Sequence, residues 1–238
     1  MQRIIFLLLS IFLFSSSCKD KNQVSRNVGI NEIAGNEDVK AYMEAFEGRG
    51  VQSDDSKLTS PDIALQNFKI ADDLKLDLIL SEPQIHQPVE LNFDHRGRLW
   101  VVQYNQYPYP KGVKVVDIDN HVRAVFDKVP PPPAEGINGA DKITIFEDTD
   151  GDGTYDKSTD AITGLNIATS VSLGRKKIWV LTPPYLVAYP DPDGDGIPNG
   201  KPEVHLEGFG LEDTHAVANS LRWGPDGWLY GAQGSTTN

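Results

Sequence analysis

The chain has 238 residues, 39% hydrophobic and 24% charged, a globular composition that excludes disorder throughout. A formal net charge of −12 argues against a nucleic-acid partner, because phosphate binding rewards clustered cations. The single cysteine, Cys18, excludes an intrachain disulfide, a four-cysteine zinc site and a CxxCH haem attachment.

Arg3 precedes an apolar run, Ile4 to Phe14, broken only by Ser10 and followed by small serines up to Cys18. The run is too short to stay in a bilayer as a spanning helix, so residues 1–17 read as a cleaved signal. FSSSC resembles a bacterial lipobox, which implies cleavage before Cys18, diacylation of its sulfur and a lipid anchor facing the periplasm or the outside. A plain secretory signal with an incidental thiol is the alternative. Residues 18–60 are rich in Asn, Asp, Ser and Gly and suit a tether. Within it, DVKAYMEAFEG spaces Val39, Tyr42, Met43 and Phe46 as a helix would, closed by Gly48. A second short helix is expected from Ser60, with Pro61 in its first turn and Asp62 near its N-terminus.

Over residues 61–238 short strand signals broken by Gly, Pro and Asp predict an all-β body. Aligning Gly97 with Gly227 superimposes LNFDHRGRLWVVQ (91–103) on LRWGPDGWLYGAQ (221–233), and VSLGRKKIWVL (171–181) is a weaker copy between them. Each copy is a strand, a polar turn and a strand carrying Trp or Tyr. The first two lead into a third strand, KITIFED (142–148) or YLVAYPD (185–191), an acidic loop, and a fourth strand near Ala161 or Val204. Four antiparallel strands repeated in this way predict a partial β-propeller of about two and a half blades, with residues 104–140 inserted in the first. A truncated ring is the corollary: Leu91, Phe93, Leu221 and Trp223 should lack partner surface, and a strand edge near Leu229 to Ala232 should stand open.

The acidic loops, DTDGDGTYDKSTD from Asp148 and DPDGDGIPNGKPE from Asp191, carry acids at positions 1, 3 and 5 and glycine at 6. Carboxylates at alternate positions converge when the backbone curls, and an oxygen-rich site of this kind suits structural calcium. The expected ligands are Asp148, Asp150, Asp152, the Thr154 carbonyl and Asp156, and then Asp191, Asp193, Asp195, the Ile197 carbonyl and Asn199. The alternative for both is a solvated turn with no metal.

The run from SPDIALQNFKIADDLKLDLIL through DKITIFEDTDGDGTYDKSTDAITGLNIATSV to GFGLEDTHAVANSLRWGPDGWLYGAQGSTTN resembles the N-terminal propeller of a membrane-bound dehydrogenase family of large secreted bacterial proteins. Members commonly add a c-type haem domain, which implies a cytochrome domain or partner. More distantly the architecture is similar to soluble glucose and sorbosone dehydrogenases, which hold pyrroloquinoline quinone. In that group a histidine ahead of a Gly-Pro-Asp-Gly turn takes the alcohol proton. His215 ahead of Gly224-Pro225-Asp226-Gly227 matches that position, so the resemblance makes it the catalytic base. The Gly-Asp that usually follows the strand reads Gly234-Ser235, so the resemblance supplies no partner for the imidazole. The other reading of His215 is a loop histidine bonded to nearby backbone. His86 is a minor candidate, while His95 and His121 read as solvated.

Propeller topology would put the insert, the His215 segment and the end of the chain on one face and both acidic loops on the other. Tyr104, Tyr107 and Tyr109 are then placed to stack on a sugar, or else to pack on their own scaffold. The leading expectation is the propeller part of a quinone- or haem-linked dehydrogenase acting on sugars or related alcohols. The competing one is a non-catalytic, calcium-stabilised propeller that binds glycans or partner proteins.

Overall fold

The computed structural model describes residues 29–46, 59–234 and 237. The signal, Cys18 and Gly48 lie outside the described residues. Both expected helices form: α2 (Glu37–Ala45) is capped by the Asn36 side chain, which accepts from Val39 N at 2.9 Å, and α3 (Pro61–Asn67) by Ser60. A single helical turn, α1 (Ile30–Ile33), precedes them.

The rest is mostly strand. A first four-stranded antiparallel sheet contains β1 (Pro88–Phe93), β2 (Leu99–Gln103), β5 (Asp141–Glu147) and β6 (Lys157–Leu165), paired in that order. The hairpin β3 (Val115–Ile118) with β4 (Ala124–Phe126) lies in the insert between β2 and β5. The second four-stranded sheet runs β7 (Ser170–Gly174), β8 (Lys177–Thr182), β9 (Tyr185–Pro190) and β10 (Glu203–Glu207), and β11 (Asn219–Trp223) pairs with β12 (Leu229–Ala232). No sheet among the described residues closes on itself.

The alternation of side chains along each strand explains the stacking. In β2, Trp100 and Val102 face the second sheet and meet Ile178, Val180 and Val187, while Leu99 and Val101 face the opposite way onto Leu80 and Ile85. Covered on both faces, β2 is buried at every position. In β8 the same rule sends Ile178 and Val180 to the first sheet, and Leu181 to Leu221 and Leu229 of the last hairpin.

The outer face of β1 is open: Leu91 is 55% exposed and Phe93 64%. Leu221 differs from the expectation of an uncovered face, since Leu181 and Leu186 of the second sheet cover it to 3% exposure. The tether region also does more than space the body, because Val39 and Met43 of α2 pack on Val115 and Phe126 of the insert hairpin.

The turns are set by side chains. Asp94 accepts from Arg96 N and Arg98 N through one oxygen, and from Arg98 Nε (2.6 Å) and Trp100 Nε1 (3.2 Å) through the other. Burial pushes this carboxyl up, but the combined hydrogen bonds from Trp100, Arg98 and the backbone hold it below the usual carboxylate range. Asp119 and Arg123 build the same turn in the insert hairpin.

The sheet-edge strands β1, β7 and β11 are joined by one carboxylate. Glu90 accepts from Val171 N of β7 at 2.6 Å and from Arg222 Nη1 of β11. Register breaks between Pro88 and Glu90 and between Asn219 and Arg222 turn the two side chains toward each other. Glu90→Gln keeps the shape and removes the charge, so it should cost about 2–3 kcal/mol. Urea unfolding checks this, and a loss below about 0.5 kcal/mol would show that the strands are held by packing alone.

Candidate functional site

His215 lies in the loop before β11, and backbone and side-chain bonds hold that loop. Ala124 N donates to Glu212 O at 2.9 Å, the Tyr104 hydroxyl donates to Thr214 O at 3.1 Å, and Ala216 N donates to Asp213 O at 2.9 Å. The imidazole has a partner on each side: Nδ1 lies 3.1 Å from Asp213 Oδ1, and Nε2 meets the Tyr107 hydroxyl. A carboxylate only accepts, so the ring proton sits on Nδ1 and the Nε2 lone pair faces Tyr107, whose hydroxyl donates to it. This is the wiring of a general base with an orienting acid.

Tyr104, Tyr107 and His215 form a row, with ring centroids 5.6 Å and 5.1 Å apart. Burial pushes the Tyr107 hydroxyl above its usual range, with Tyr109 and Asp213 adding to the effect. Burial does the same more strongly for Tyr104. The tyrosines therefore stay protonated and serve as donors.

The row forms one wall of a cavity of about 810 Å³ at the start of β1, β7 and β11, with Glu90, Arg222 and Gln87 on the others. Gln87 has φ +41 and a buried side-chain oxygen with no hydrogen-bond partner, and Ser220, also on the cavity, has φ +59. Positive-φ backbone and an orphaned acceptor therefore meet at this one cavity. His86 stands apart: its backbone donates to Gln103 and its ring lies 3.4 Å from Glu82. His95 and His121 are exposed.

Pyrroloquinoline quinone is a polycarboxylate and needs cations. Among the described residues of the cavity the one Lys or Arg is Arg222, already bonded to Glu90, so the residues present do not make a quinone site. The chain has no CxxCH for haem.

The acidic loops lie at the other end of the strands. In each, the carboxylates of Asp148, Asp150 and Asp152, or of Asp191, Asp193 and Asp195, come within 4.8 Å of one another. The glycines at position 6, Gly153 and Gly196, have φ +90 and +95, which explains why that residue is needed. Backbone N–H groups of Gly151 and Gly153 donate to Asp148, and Ile197 N donates to Asp195. Burial raises the Asp191 carboxyl, and Asp193 and Asp195 add to it, an arrangement that a cation relieves.

The remaining expected ligands make hydrogen bonds within or beside their loops. Asp156 accepts from the Thr149 backbone and hydroxyl, and Asn199 N donates to Pro190 O. Of the acids at position 13, Asp160 accepts from Thr144 and Lys142, and Glu203 pairs with Lys177. Each loop offers three carboxylates and the carbonyl of Thr154 or Ile197, with Asp156 or Asn199 as the further expected ligand, a set that fits a calcium-sized cation completed by water.

Asp141, at the start of β5, supports the cavity wall. It accepts from Gln106 N at the root of the insert and from Ala168 N before β7. Burial pushes its carboxyl up to about 7 despite those bonds. Between about pH 4 and 7 the folded protein then holds a proton that the unfolded chain has released, so stability falls as pH rises and levels off above. The slope approaches about 1.4 kcal/mol per pH unit. Thermal melts of the wild type and Asp141→Asn across this range should differ by that slope; parallel profiles would refute it.

A family model described as a domain of unknown function, DUF7133, matches residues 60–238. No curated protein and no solved structure matches the chain. The match covers well over half of the sequence, and the chain belongs to the DUF7133 family.

Proposed function

We propose that the chain is part of a β-propeller in a lipid-anchored, calcium-stabilised cell-envelope dehydrogenase, and that its cavity takes a sugar or related alcohol. Two consecutive four-stranded antiparallel sheets stacked face to face, with a third begun by β11–β12, support the propeller. The Asp213–His215–Tyr107 row carries the functional reading. A substrate hydroxyl entering the cavity replaces the Tyr107 hydroxyl at Nε2, and His215 takes its proton while Asp213 steadies the imidazolium. Arg222 and the Gln87 oxygen are placed to bond neighbouring hydroxyls. The hydride acceptor, a quinone in the dehydrogenases that the sequence resembles, is supplied by groups outside the described cavity, and a haem partner would take the electrons onward one at a time. Cys18 carries the anchor in this reading.

The second reading, a propeller that binds glycans without oxidising them, is favoured by the cavity's lack of quinone-binding cations. Sugar-dependent dye reduction, with calcium and pyrroloquinoline quinone added to the protein together with the groups that hold its acceptor, separates the two. His215→Ala should lower the rate by about 10²–10⁴ while sugar binding by calorimetry persists. Binding without oxidation by the wild type supports the second reading, and no binding of any sugar overturns both.

Calcium should bind the loop at Asp148 and raise the melting temperature of the metal-free protein. Calorimetric titration with Asp150→Ala as control tests this. Absence of calcium-dependent heat, or the same heat in the variant, sinks it.

A further inference from the structure

His215 and Tyr107 are a ridge between two hollows. Behind the cavity already described lies a groove of about 380 Å³, reached over the same two side chains. Its walls are Tyr42 and Phe46 of the α2 segment, Tyr109 at the root of the insert, Phe126 of β4, and Glu212. The Tyr42 and Phe46 rings stack at 5.8 Å, inclined by 22°, and remain 40% and 47% exposed. These are large apolar rings that folding has left in water although α2 is otherwise packed on the insert hairpin. One oxygen of Glu212, Oε2, is buried with no hydrogen-bond partner.

Flat rings beside an unsatisfied carboxylate oxygen are complementary to a sugar, which offers an apolar C–H face and hydroxyl donors. The groove adjoins the cavity at the imidazole, so one chain of linked sugars can lie across the ridge. We infer that the substrate is an oligosaccharide, with one unit at His215 and the next stacked on Tyr42 and Phe46 while a hydroxyl donates to Glu212. This rests on the sugar reading of the cavity and adds the second subsite. It also gives the α2 segment a role in recognition, beyond the span that the family match covers.

The test is calorimetric titration of the full chain with glucose, xylose, cellotriose, maltotriose and xylotriose. At least one trisaccharide should bind about tenfold or more tightly than its own monosaccharide. The double variant Tyr42→Ala/Phe46→Ala should erase that gain and leave the monosaccharide affinity unchanged, which also shows that the variant folds. Glu212→Gln, which keeps the volume, should weaken the trisaccharide alone. Equal affinity for one and three units, or a gain that survives both variants, overturns the second subsite and leaves the cavity reading standing. No heat with any of these sugars overturns the cavity reading, and the subsite with it.

Discussion

A single carboxylate, that of Glu90, holds the arrangement on which the cavity depends. Its two oxygens reach the edge strands of the two other sheets, β7 through the Val171 N–H and β11 through the Arg222 guanidinium. Hydrophobic stacking is non-directional and would tolerate sliding of one sheet over the next, whereas a buried charge with two fixed donors does not. The register breaks in β1 and β11 that create this junction also shape the cavity floor. Position and function are therefore built from the same irregularities in otherwise regular strands.

A second recurring device fixes each sheet internally. The aromatic residue of the second strand bonds back to its own turn: Trp100 Nε1 to Asp94, Trp179 Nε1 to Gly174 O, and the Tyr230 hydroxyl to Asp226. The rings of Trp100 and Trp179 lie between sheets while their polar atoms are satisfied locally, and Tyr230, 54% exposed, keeps the same bond at the surface. Only local residues are used, which is why the device survives in three copies of different sequence.

That locality also separates what could be read in the sequence from what could not. The strand copies around Gly97, Lys176 and Gly227, the helix at Val39 and the curled acidic loops all follow from neighbours within one turn or hairpin, and each is legible. The Tyr107–His215 contact spans 108 positions and Glu90–Arg222 spans 132, and no local pattern encodes either. Asp213, two residues before the histidine, is legible as a charge beside it, whereas its contact with Nδ1 depends on how the loop folds. The burial of Leu221 is not legible locally, because its cover comes from Leu181 and Leu186 of the preceding sheet. Asp141 gave no signal at all, since its role is set by backbone donors from two distant loops.

The two acidic loops share a sequence pattern but not a mechanical situation. The one beginning at Asp191 reaches over the neighbouring sheet: Arg98 Nη1 donates to Asp195 O at 2.6 Å, and Gly196 lies so close that a Cβ would come within 2.7 Å of Ile145 and 2.9 Å of Trp100. The one beginning at Asp148 has open space around its glycines. The first therefore acts as a clasp between layers and the second as a free-standing eyelet. Lengthening or reshaping the eyelet would be felt only where it stands, while any alteration of the clasp would be transmitted into the densest seam of the molecule.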